Sequence, residues 1–252
     1  MKIVVCVKRV PSTDTRVKIA PDGTSIDPSS VEWIISPYDE FALEGALQIK
    51  DEDPDTEVIV VSLASPEATK ELRTCLAMGA DRAIHIQTDG GSDRDAQTTA
   101  TALSQVIQEE NPHLVLCGKM AVDKDQGQVG ILLAYQLGWP CLTEVCQFAS
   151  KGDAVEAKRE SGSGAMEIYE VPLPAVLTVT KGDTEPRYAN LKGIMAAKKK
   201  PLEEKTDSGG DSSLTVRSME MPAERSPGRI VGEGPDAVDE LIRLLREEAK
   251  AI

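Results

Sequence analysis

The sequence predicts an α/β protein: an open, parallel five-stranded sheet with helices on both faces, joined to a small antiparallel hairpin region and a C-terminal arm with a helix. Two observations carry this. Short, predominantly apolar runs recur at residues 3–7, 57–64, 82–87 and 114–119, the first of them apolar throughout. Strands that are apolar throughout are buried on both faces, as in parallel sheets. Between the runs lie segments with helical start signals, and strand–helix alternation gives a parallel sheet with right-handed crossovers. At 252 residues the chain is long enough for one large domain with an extension. Aromatics make up only 3%, so the core must be built from Val, Ile, Leu and Ala.

The elements follow in order. IVVCV (3–7) is the first strand, and a polar loop follows it. Ser36-Pro37-Tyr38-Asp39 opens a helix: Ser36 can cap, Pro37 fits the first helical position, and Asp39 and Glu40 suit the positive end of the dipole. EVIVVSLA (57–64) is a strand, and Ser65-Pro66-Glu67 opens a second helix that ends at Gly79. RAIHIQ (82–87) is a strand, residues 95–110 a helix, LVLCGK (114–119) a strand and GILLAYQLG (130–138) a helix. The five-stranded core is expected within residues 1–140. The pattern changes after Pro140. Residues 154–161 and 165–171, joined by SGSG, read as an antiparallel hairpin within 150–180, and 174–180 adds a strand. A short helical patch ends in Lys198-Lys199-Lys200. The main domain is therefore 1–202. Residues 203–252 are a flexible polar arm followed by an amphipathic helix whose stripe is Val238, Leu241, Ile242, Leu244 and Leu245. Its long tether favours packing on a partner subunit.

Composition excludes several functions. A formal net charge of −14 repels phosphate backbones, so nucleic acid is not expected as a partner. No apolar run approaches a membrane span, and the N-terminus lacks the features of a signal or transit peptide. A cytoplasmic, bacterial protein is expected. The five cysteines include no CxxC and read as reduced, buried thiols; the two histidines, His85 and His113, have no ligand-like neighbours, so no metal site is expected. No nucleophile elbow, HExxH or well-placed general base occurs, so no catalytic residue is assigned.

Ligands of open parallel sheets bind beyond the carboxyl ends of strands, where strand order reverses. Two loops suit that place: Cys6-Val7-Lys8-Arg9, and the Gly118–Gly130 segment GKMAVDKDQGQVG. Gly127 and Gly130 allow close backbone approach and open a helix, whose N-terminus favours phosphate. Asp123, Asp125 and Gln128 suit ribose hydroxyls or adenine edges, and Lys8, Arg9, Lys119 and Lys124 would offset phosphate charge. A Gly-rich cap with solvated charges is the competing reading, since GQVG matches neither a Walker motif nor GxGxxG.

VVCVKRVPST, ISPYDEFALEGALQIKDE (35–52), TCLAMGADRAIHI (74–86), LVLCGKMAVDKDQGQVG (114–130) and EPRYANLKGIMAAKKKP (185–201) stand in one order. Together they resemble the electron transfer flavoprotein beta-subunit family over about residues 1–202. The resemblance implies a Rossmann-like, adenine-nucleotide-binding domain that pairs with an alpha subunit bearing most contacts to the redox FAD. It implies AMP in this subunit, held by Cys6, Ser36, Pro37, Tyr38, Asp39, Leu63, Ala121, Val122, Asp123, Asp125, Gly127, Gln128, Val129, Gly130, Ile131 and Leu132. It implies a docking loop over 188–197 with Tyr188, Leu191, Ile194 and Met195, Leu191 being the apolar tip. The implied partners are flavin-dependent dehydrogenases, such as the acyl-CoA dehydrogenases of fatty acid oxidation, and a quinone-linked acceptor oxidoreductase. Some relatives bifurcate electrons and bind a second FAD in place of AMP; theirs read NPDDKNALE and DGDTAQVGP. Here SPYDEFALE is like the AMP-binding members, DKDQGQVGI is intermediate, and Thr13 replaces an aromatic seen near the flavin in some relatives. Two readings of other classes stand beside this one. A stand-alone sensor resembling universal stress proteins needs neither the hairpin nor the tethered helix. An ATP-using ligase-like enzyme of the pyrophosphatase group would carry SGGxDS where this chain has CVKRVPS.

Overall fold

The computed structural model describes residues 1–88, 94–224 and 227–252. Strand β1 (Lys2–Cys6) leads into a small antiparallel pair, β2 (Arg9–Pro11) and β3 (Trp33–Ile35), and then α1 (Pro37–Glu52). The alternation continues through β4 (Glu57–Ala64), α2 (Thr69–Met78), β5 (Arg82–Gln87), α3 (Ala96–Glu110), β6 (Leu114–Gly118) and α4 (Val129–Leu137). Then come β7 (Cys141–Ser150), β8 (Ala154–Ser161), β9 (Ala165–Pro172), β10 (Ala175–Val179), α5 (Leu191–Ala197), β11 (Leu202–Thr206) and α6 (Val238–Glu247).

One nine-stranded sheet runs β11-β5-β4-β1-β6-β10-β7-β8-β9. The first seven strands pair in parallel, and β7, β8 and β9 pair antiparallel. Alternation along the strands divides the core. Ile3, Val5, Leu114 and Leu116 face α1 and α2 with Leu43, Leu47, Leu72 and Leu76. Val4, Ile59, Val61 and Val115 face α3 and α4 with Leu103, Ile107 and Leu133. Each such fully buried aliphatic side chain contributes roughly 1.5–3 kcal/mol. At the amino ends of the strands, Arg82 pairs with Glu57 and Glu110, and Lys2 also reaches Glu110.

The fold class is as expected, but the sheet is larger. Residues 1–140 supply four of its strands, not five. The fifth parallel strand, β10, is buried along its whole length and inserts between β6 and β7. Strand β7 escapes sequence reading because its alternation breaks at a bulge between Val145 and Gln147, beside Glu144 with φ of 57°. Strand β11 falls where the arm was expected to begin. Its sequence, LEEKT, reads as polar because it is an edge strand with β5 as its one neighbour.

The chain forms two compact units, Met1–Met219 and Glu220–Ile252. In the first, residues beyond β11 stay attached: Asp207 pairs with Arg94, and Met219 N–H donates to Gly23 O at 2.8 Å. The second contains a 3-10 turn at Pro235–Ala237 and α6, where Arg243 pairs with Glu240 and Glu247. Arg225 and Ser226, inside the expected arm, lie outside the described residues. Among those described, no helix is long and apolar enough to cross a membrane, and no cluster of His, Cys, Asp or Glu could hold a metal ion.

Candidate functional site

Strand order reverses at β1. Its successors β4 and β5 lie to one side and β6 to the other, so the β1–β6 boundary is the switch point of the sheet. The two loops singled out in the sequence leave the sheet here, from neighbouring strands. Asp39, on the first turn of α1, ties them together. Its Oδ2 accepts from Lys8 N–H at 2.8 Å, and its Oδ1 accepts from Gly118 N–H at 2.9 Å. Burial raises its pKa from 3.8 to about 7, against the pull of those two N–H groups. Both carboxylate oxygens are thus engaged by the protein, and Asp39 acts as a clamp between the two lips. Gly118 is what allows it: a Cβ there would stand 2.4 Å from Asp39 Oδ1 and 2.8 Å from Tyr38 Cβ. Sequence reasoning gave Gly118 no role, because its need arises from a residue 79 positions away.

The second lip runs through Ala121–Gln128 into α4. Lys8 Nζ meets Asp123 at 2.6 Å, joining the lips a second time. Lys119 stacks over Tyr38 at 5.1 Å and stands 3.8 Å from Glu144. Asp125 and Gly127 take φ of 50° and 59°, the left-handed turn that delivers the chain to the helix. Gln128 holds the N-cap position of α4, and its side chain makes no capping hydrogen bond. Gly130 is there for packing: a Cβ would lie 2.7 Å from Thr178 Cγ2. One wall is apolar, since Leu63, Val129 and Leu132 pack on the cluster holding Cys6 and Cys117. Those two cysteines are in-register neighbours on β1 and β6. A hydrogen bond with Cys6, with burial, holds the Cys117 thiol well above its ordinary pKa.

Ser36 is the unexplained residue of the site. Its N–H donates to Lys8 O at 2.9 Å, and its carbonyl receives the first N–H groups of α1. The hydroxyl was expected to cap the helix; instead it is fully buried and has no hydrogen-bond partner. A buried hydroxyl without a partner costs about 1–3 kcal/mol.

The structure brings Cys6, Ser36, Pro37, Tyr38, Asp39 and the 121–132 segment to the carboxyl end of the sheet at the switch point, with Leu63 at the end of β4. It removes Arg9 from the list of phosphate cations. The Arg9 guanidinium lies 4.2 Å over Trp33 and 3.1 Å from buried Glu71, fixing β2–β3 to α2. His85 is buried in β5, with Nε2–H donating to Ala64 O and Ser65 O. Of the cysteines, Cys141 is exposed, contrary to the buried reading. A hollow of about 210 Å³ lies elsewhere, between α1 and β7, lined by Phe41, Gly45 and Phe148 among others. Its charged residue, Glu44, is already taken by Arg187.

Tyr188, Leu191, Ile194 and Met195 form a separate feature. All four are exposed, Tyr188 at 96% and Leu191 at 75%. Residues 191–197 are the helix α5, packed on α2: the short helical patch expected before Lys198, inside the segment that the resemblance reads as a docking loop.

The electron transfer flavoprotein domain matches residues 24–208. The electron transfer flavoprotein subunit beta of Bradyrhizobium diazoefficiens is 37% identical, covering 99% of both chains. That of Bacillus subtilis is 36% identical over the whole of both. The mitochondrial electron transfer flavoprotein subunit beta of Arabidopsis thaliana is 38% identical, again over the whole of both.

Proposed function

The chain belongs to the electron transfer flavoprotein beta-subunit family, and from that premise we propose that it is the beta subunit of a heterodimeric electron carrier with AMP in the β1–β6 crevice. The observation that carries the nucleotide reading is the crevice at the switch point, whose two lips leave the adjacent parallel strands β1 and β6, the second leading into the start of α4. The rest of the site fits an adenine nucleotide. The first turn of α4, with no capping bond from Gln128, suits a phosphate. Lys8 and Lys119 supply positive charge, and Leu63, Val129 and Leu132 give an apolar wall for a base. SPYDEFALE and the absence of DGDT favour AMP over a second FAD.

FAD, held mainly by the alpha subunit, supplies the electron-accepting chemistry. This chain's residues bind and position; none is assigned to catalysis. Lys8, Asp39 and Gly118 hold the crevice in shape, and α6 contributes to holding the alpha subunit. Tyr188, Leu191, Ile194 and Met195, flanked by exposed Lys192, Lys198 and Lys199, offer dehydrogenases an apolar anchor with a basic rim. Electrons would come from flavin-dependent dehydrogenases of the acyl-CoA type and pass to a quinone-linked oxidoreductase, in the cytoplasm. Denaturing the purified complex and separating the released nucleotides tests the reading. One FAD and one AMP per heterodimer are expected. Two FAD and no AMP would establish the bifurcating type instead, and a colourless homodimer the stand-alone sensor.

A further inference from the structure

We infer that Arg73 and Lys200 are positioning residues that lock α5 in its docking pose; this rests on the docking reading above. A helix of seven residues does not hold itself in water. Four apolar side chains on or beside α5 are exposed, so burial of those residues does not fix it either. What fixes it is an exchange of cations with α2. Arg73 of α2 donates from one guanidinium nitrogen to Ala197 O at 2.7 Å and to Lys200 O at 2.9 Å, at the carboxyl end of α5. Lys200 in return donates from Nζ to Leu76 O at 3.0 Å and Ala80 O at 2.6 Å, at the carboxyl end of α2. Each helix thus satisfies end carbonyls of the other, where a cation also suits the dipole.

The approach is close because residue 193 is glycine: a Cβ would lie 2.3 Å from Ala77 O. The other end of the element is pinned as well. Asn190 Oδ1 accepts from Gly193 N–H at 2.8 Å, and Arg187 reaches Glu44 at 2.8 and 2.9 Å and Asp51 at 2.7 Å on α1. Leu191 and Met195 are therefore presented on a preformed surface. Loosening α5 would lower the fraction of molecules ready to dock and raise the apparent KM in proportion, leaving kcat alone.

The test uses the intact heterodimer in a dehydrogenase-coupled assay with the carrier as varied substrate. Arg73→Gln should raise the carrier's KM by about three- to tenfold, as expected if the docked pose falls to a third or a tenth of the population. Saturated turnover and the flavin spectrum should be unchanged. Arg73→Lys, which keeps a cation, should recover part of the loss. Amide exchange over 194–199 should quicken in step with KM. Should Arg73→Gln not fold, Lys200→Met breaks the same exchange from the other side and carries the same expectation. Leu191→Ala is run in parallel. A raised KM for Leu191→Ala with wild-type KM for both Arg73→Gln and Lys200→Met would overturn the positioning role and leave docking intact. Wild-type KM for Leu191→Ala would remove the docking reading, and this inference with it.

Discussion

At the scale of single residues, Asp39 is the most informative position. A buried carboxylate is expensive, and its raised pKa of about 7 says that burial outweighs two N–H donors. The sign of its effect on stability follows by linkage. The folded state holds the proton more tightly than the unfolded chain, so the favourable contribution is full below about pH 4 and is lost as pH rises through about 7. The span from 3.8 to about 7, at 1.36 kcal/mol per pH unit, sets an upper limit of roughly 4 kcal/mol. Asp39→Asn removes this titration and leaves one of the two N–H groups without an acceptor. Denaturant melts of both proteins between pH 4 and 8 should show the advantage of wild type over the variant shrinking as pH rises. A difference independent of pH would show that Asp39 does not titrate in this way. Sequence reading found Asp39 by resemblance and assigned it to the nucleotide. It did not find the clamp, because neither Lys8 N–H nor Gly118 N–H carries a side-chain signal. It placed Arg9 in the crevice for the opposite reason: a cation looks free in sequence until its aromatic and acidic partners fold onto it.

At the scale of elements, the helices and central strands were legible because their signals are local. Pro37 and Pro66 mark starts, Gly79 and Gly138 mark ends, and the strands between are apolar on both faces. The edges of the sheet were not. Edge strands are half solvated and polar, as in β11, and a bulge erases the alternation of β7. The amphipathic pattern of α6 was legible too, and the helix forms with Leu244 buried and with Val238 and Leu241 exposed. Exposed aliphatic residues on a tethered helix favour a partner surface. Deleting 233–252 should weaken assembly with the alpha subunit by tenfold or more, on the order of 1.4 kcal/mol, with far-UV dichroism of the remaining sheet retained. Titration of the truncated chain with alpha subunit at unchanged affinity would return α6 to its own chain.

At the scale of the whole molecule, a ligand in the switch-point crevice would make folding and binding one equilibrium. The lips leave adjacent parallel strands of the central sheet, so whatever bridges them stabilises the native state by RT ln(1 + [L]/Kd), roughly 2.7 kcal/mol at a hundredfold excess over Kd. Gly127 lets two contributions be separated. Its φ of 59° makes a β-branched residue strained whatever the space around it, and a Cβ there would meet only Lys119 O, at 3.4 Å. Gly127→Val should therefore lower the melting temperature of the nucleotide-free complex through backbone strain alone, at about 1–2 kcal/mol. If the turn also presents α4 to a phosphate, the variant should lose a second quantity: the rise in melting temperature that added AMP gives the wild type. Gly127→Asn is the control, because Asn tolerates the left-handed conformation and should keep most of the nucleotide-free stability. The deciding comparison is the AMP response of the three proteins, measured by calorimetry after nucleotide removal. Loss of the response in Gly127→Val, with its survival in Gly127→Asn, ties the turn conformation to nucleotide binding. An equal response in all three would mean that the phosphate does not sit at this helix start.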